Sequence, residues 1–156
     1  MGDDEDVVRL CFKANKVGVL GLNRPRHTDP ETGLLYEEAV QMLDLTLRGF
    51  SLQRLFLYAV EQAQNAERVM QERRPENEVE LQGGVVARVS AVHAILDDNG
   101  AAVFQVQAHP TETDPSHAMV LSGLPKSRLL KFRKSLVACF AALTPITELC
   151  GAGKTS

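Results

Sequence analysis

The sequence predicts a single α+β domain: an antiparallel sheet of four to six strands, with a helical hairpin and a C-terminal helix packed on one face. Three observations carry that expectation. Apolar and polar residues alternate over 8–12 and 104–108, the mark of half-buried strands. Apolar residues recur at helical spacing over 36–70. The 156 residues, 44% hydrophobic and 24% charged, have the size and composition of one domain with an ordinary core. The domain is expected over 7–144, between an acidic, flexible start at 1–6 and a tail at 145–156.

In the first strand Val8, Leu10 and Phe12 alternate with Arg9, Cys11 and Lys13. Val17 to Leu22, apolar with two glycines, is a weaker strand that would pair with it. Pro25, Asp29, Pro30 and Gly33, without apolar periodicity, make 23–33 a loop. Tyr36, Val40, Leu43 and Leu47 then define a helix stopped by Gly49. Ser51 caps a second helix, with Phe50 and Leu55 placed as a hydrophobic staple. Its stripe of Leu52, Leu55, Phe56, Ala59, Ala63, Ala66 and Met70 ends at Arg74-Pro75. A helix-turn-helix reading is disfavoured, because this second helix starts with apolar groups where a recognition helix needs polar ones.

The second half reads as sheet. Val79 and Leu81 form a strand, and Gly83-Gly84 a turn into a long strand from Val85 to Leu96. A tight turn would bring Glu78 and Glu80 onto the apolar face, where unpaired carboxylates are costly, so a bulge or longer loop is expected there. Asp97-Asp98-Asn99-Gly100 signals a hairpin returning through Phe104, Val106 and Ala108, which puts His93 on the apolar face opposite Val106. A short strand at His117 to Leu121 follows. Pro125 suits the first position of a final helix reaching Leu143, with Leu129, Leu136 and Phe140 inward.

That helix carries the most informative charge pattern. Lys126, Arg128, Lys131, Arg133 and Lys134 fall in its first half with no acidic residue among them. The helix macrodipole favours carboxylates there, so a negatively charged visitor is the simplest compensation. Lys126, Arg128, Lys131 and Lys134 are therefore the candidate anion- or partner-binding residues. A second basic cluster, Arg9, Lys13, Lys16, Arg24 and Arg26, would extend the ridge if the fold made them neighbours.

The leading expectation is a non-catalytic binding or regulatory protein engaging an acidic protein surface. Nucleic acid is the alternative partner, although a net charge of -3 argues against a strongly basic binder and 5% aromatics against a base-stacking platform. A homodimer through the 52–70 stripe is a further option. A metal-dependent enzyme would use His109, Glu112, Asp114 and His117, but their spacing matches no metal motif. Ser116 lacks a nucleophile elbow, and Gly151 to Ser156 resembles a phosphate loop without its first glycine or its helix. No catalytic residue, metal or cofactor is expected.

Cys11, Cys139 and Cys150 lack Cys-x-x-Cys spacing and read as free thiols in a reducing compartment. The acidic start is unlike a secretory signal, and the apolar runs are too short for a membrane span. A soluble, cytoplasmic protein with no membrane partner is expected.

Overall fold

The computed structural model describes residues 1–58, 60–73 and 75–149. Five strands, β1 (Asp6–Lys13), β2 (Phe50–Arg54), β3 (Glu80–Arg88), β4 (Gln105–Ala108) and β5 (His117–Leu121), form one antiparallel sheet in the order β3-β1-β2-β5-β4. The α+β class and the antiparallel sheet are as the sequence predicts. Helices cover both faces, not one. On the first face Val7, Phe50, Val120 and Phe104 pack in one cluster with Leu129 and Leu136 of the C-terminal helical segment. That cluster also takes Val89 and Val92 of α2 (Val89–His93). On the second face Leu10 and Leu81 pack with Met70 and Ala63 of α1 (Val60–Arg73).

The expected helical hairpin does not form. Tyr36 to Leu47 makes a 3₁₀ turn at Glu37–Ala39 and a short helical stretch from 42 that becomes a π-helical turn at Asp44–Arg48. There Val40 and Leu45 are fully buried, while Leu43 and Leu47 of the expected stripe are exposed. Residues 50–54 form β2, with Phe50 and Leu52 buried and Ser51 exposed. The period of two won because this strand is needed between β1 and β5, where ladder pairing supplies more than a capped helix start. Gly49 has φ 86, and a Cβ there would overlap Met119 of β5. Only the second half of the expected helix survives, as α1.

Gly83-Gly84 is likewise no turn, because β3 runs straight through it beside β1. A Cβ at Gly83 would overlap the Thr144 carbonyl, and one at Gly84 would overlap Val8. These glycines serve close approach: Gly84 and Thr144 exchange both backbone hydrogen bonds along the outer edge of β3. Neither the turn nor the bulge or loop expected in its place at Gly83-Gly84 reverses the chain; the register shifts next to it, between Cys11 and Phe12, where Gln82 of β3 is passed over, and Glu80 pairs with Lys13 at 3.2 Å. Val17 to Leu22 is not a strand but a set of turns, with Gly18 and Gly21 at positive φ.

The long strand ends at Arg88, and Val89 to His93 turns into α2. The chain then reverses through 97–101, as its turn residues require, with Leu96 facing Ala102. His93 meets Val106 through its ring: Nε2 accepts the Val106 N–H at 3.1 Å, which fixes the tautomer and leaves Nδ1–H for Asp3 at 2.9 Å. Glu5 pairs with Arg54 and Asp6 with Arg88, so the acidic start is tied to the sheet. Among the described residues no helix is long and apolar enough to cross a membrane.

Candidate functional sites

The basic segment is shorter than expected and broken into α3 (Lys126–Leu129), a 3₁₀ turn (Leu130–Phe132) and α4 (Arg133–Ala138). Pro125 caps it from outside, not as its first residue. Ala141 N–H donates to Val86 and Leu143 N–H to Gly33, which draws the chain out of helix towards the edge of β3. Pieces this short sum little dipole, so the helix start by itself gives no reason for an anion.

The side-chain arrangement keeps the ridge. Leu129 and Leu136 are fully buried, which fixes the rotation of the segment and turns Lys126, Arg128, Lys131 and Lys134 outward, exposed. Only Lys131 has a carboxylate within 4 Å among the described residues, Asp98 at 3.7 Å, with both side chains mostly in solvent. Such a pair contributes about 0–1 kcal/mol. Leu130, 54% exposed, stands on the same surface. Arg133 is half-buried, and its Nε has no hydrogen-bond partner among the described residues.

Three cations of the second basic cluster are engaged within the fold. Lys13 pairs with Glu80, Arg24 with Glu38 at 2.9 Å, and Arg9 turns into the fold. Of the 109–117 residues, the structure joins the two imidazoles: His109 and His117 lie Nδ1 to Nδ1 at 3.1 Å, with rings edge to face. Asp114 instead accepts from Gln53 and from the fully buried Ser116. Glu112 is not drawn in, and among the described residues no three His, Cys, Asp or Glu side chains are placed to hold a metal. Ser116 bonds Gln53 and Asp114 directly, so no imidazole is positioned to take its proton.

Sequence reasoning missed a cavity of about 510 Å³ between the sheet and α1. Leu10, Phe12 and Leu52 line it from the sheet, and Ala66, Val69 and Met70 from α1. Arg9, His27, Ser51 and Gln53 add polar groups, as do Arg73, Asp114 and His117. β1 and β2 are paired at Val7–Arg54 and Val8–Gln53. Beyond that the Arg9 side chain bridges them: Nη1 donates to the Ser51 carbonyl at 3.0 Å and the guanidinium lies 4.4 Å over the Phe50 ring. Its Nε is buried without a partner, and no carboxylate lies within 4 Å among the described residues. Burial lowers the Arg9 proton affinity, opposed by the nearby Cys11 and Asp44.

His27, uninformative as one residue of a loop, is the most perturbed imidazole. Its Nδ1 accepts the Phe12 N–H at 3.0 Å and its ring meets Phe12 edge on. Burial first, and the Arg9 charge second, push its pKa down to about 3. Burial likewise pushes the Cys11 thiol up to about 12 and raises Cys139, and both are free. Cys150 and the Gly151 to Ser156 segment lie outside the described residues. No sequence signal marks the cavity, because its lining comes from two strands, a helix and separate loops. No match to the chain is found among protein families, curated proteins or solved structures.

Proposed function

We propose that the protein is a non-catalytic binding protein that engages an acidic protein surface through Lys126, Arg128, Lys131 and Lys134. The observation that carries this reading is a ridge of exposed cations with almost no carboxylate of its own. No acidic residue occurs between Asp114 and Glu148, and among the described residues Lys131 alone of the ridge reaches one across space, at 3.7 Å. The five cations of the segment leave twelve basic against twenty acidic side chains elsewhere, so the charge is segregated. The buried Leu129 and Leu136 hold the ridge in one orientation, and Leu130 offers an apolar contact among the charges. An acidic protein fits better than nucleic acid, because the cations that would widen the footprint, Lys13 and Arg24, are paired within the fold. Free Cys11 and Cys139 suit a reducing compartment such as the cytoplasm.

The test is fluorescence anisotropy of a labelled Glu/Asp-rich peptide and of duplex DNA, using the wild type and Lys131→Glu/Lys134→Glu. Both substitutions lie in solvent and leave the fold intact. Peptide affinity is expected to fall at least tenfold in the variant. Unchanged peptide binding would reject the ridge. Tighter binding to DNA, with log affinity falling steeply and linearly in log salt, would reassign it to phosphate.

A further inference from the structure

The cavity beside α1 carries a second, independent assignment. Each wall has an apolar part, Leu10 and Phe12 on the sheet and Val69 and Met70 on α1, which suits a hydrocarbon body, while Gln62 and Asn65 of α1 add polar groups. Its inner cation is Arg9, whose Nε is shielded from solvent and unpartnered among the described residues. Arg9 as a whole is half-buried, and with no carboxylate within 4 Å among the described residues its charge is met in part by the Phe50 ring and the Ser51 carbonyl. Asp44 acts on it from beyond ion-pair distance. Arg9 also lines the cavity, and a guanidinium donates charge-assisted hydrogen bonds that a carboxylate matches. Asp114, another lining residue, disfavours a second negative charge.

We propose that this cavity binds an amphiphilic monocarboxylate, with the carboxylate on Arg9 and the apolar body along Leu10, Phe12 and Met70. The volume suits a medium-length chain. The cavity of about 510 Å³ lies within the range of small-ligand sites. Decanoate fits within that. His27, kept neutral beside Arg9, adds no competing charge, and Arg73 at the end of α1 adds a second cation to the lining.

The test is a titration of the whole protein with decanoate and with 1-decanol, followed by calorimetry and by the Arg9 Nε–H resonance. Decanoate should bind at least tenfold more tightly than decanol and shift that resonance. Arg9→Met exchanges the cation for an apolar side chain of similar length and should remove the preference, with decanol binding retained. Val69→Trp, which fills the cavity from the α1 wall, should abolish both. Lys131→Glu/Lys134→Glu should leave decanoate affinity unchanged, which keeps this site separable from the ridge. Equal binding of acid and alcohol to the wild type would overturn the assignment. So would no binding of either, a preference that survives Arg9→Met, or decanoate binding lost in the ridge variant.

Discussion

His27 gives the fold a defined acid sensitivity. In the unfolded chain its pKa is the ordinary 6.5, and in the fold burial and Arg9 push it down to about 3. Between those values the unfolded state binds a proton that the folded state refuses, so stability is complete above the unfolded value and falls as pH drops below it. Each unit below 6.5 removes about 1.36 kcal/mol, so moving from about pH 7.5 to about pH 5 removes about 2 kcal/mol. With a urea m-value of roughly 2 kcal/mol/M the midpoint shifts by about 1 M, readable by far-UV circular dichroism. The matched control is His27→Asn, whose Oδ1 takes the place of Nδ1 as acceptor for the Phe12 N–H but does not titrate. That variant should lose about 2 kcal/mol less over the same interval, whatever its starting stability. Equal losses in the two proteins would refute the reasoning, as would an imidazole seen by NMR to titrate near its ordinary value.

Further outcomes follow from packing and charge. Leu129→Ala should cost about 2–5 kcal/mol in urea unfolding because Leu129 is fully buried, whereas Leu130→Ser should change stability by less than about 0.5 kcal/mol. Together the two test which way the basic segment faces. Gly83→Ala should cost at least about 2 kcal/mol and lower the melting temperature, since its methyl group would overlap the Thr144 carbonyl and part the edge of β3. Asp98→Ala should leave stability within about 0.5 kcal/mol, the worth of an exposed pair at 3.7 Å. Cys11 should resist a thiol reagent at neutral pH until the protein unfolds, as its thiol is buried and its pKa raised to about 12.

What the sequence disclosed was local. Alternation placed β1, β4 and β5, turn residues placed the reversal at 97–101, and apolar spacing turned Leu129 and Leu136 inward. The misreadings share one cause, which is that a neighbour distant in sequence decided the outcome. Residues 50–54 have a helical pattern only when read with 55–70; β1 and β5 on either side make them a strand. Gly83-Gly84 looks like a turn until Thr144 lies against it. Val89 to His93 reads as a continued strand, yet helix lets Val89 and Val92 both enter the core and brings His93 to Val106.

The same distinction separates the two candidate sites and offers a physical way to tell them apart. The ridge is contiguous, Lys126 to Lys134, so an unfolded chain still presents its charges. A partner that binds both states stabilises the fold less than its affinity implies. The cavity draws Arg9 and Ser51 from two strands, Met70 from α1 and Asp114 from a loop, and these meet only in the folded protein. A ligand there acts on the folded state alone, and at 100 times its dissociation constant adds about 2.7 kcal/mol. For a chain of this length that raises the melting temperature by about 5–10 °C. At matched saturation, decanoate should therefore raise the melting temperature more than the acidic peptide does. A peptide producing the larger rise would mean that its contacts extend well beyond the ridge, onto surface that only folding assembles.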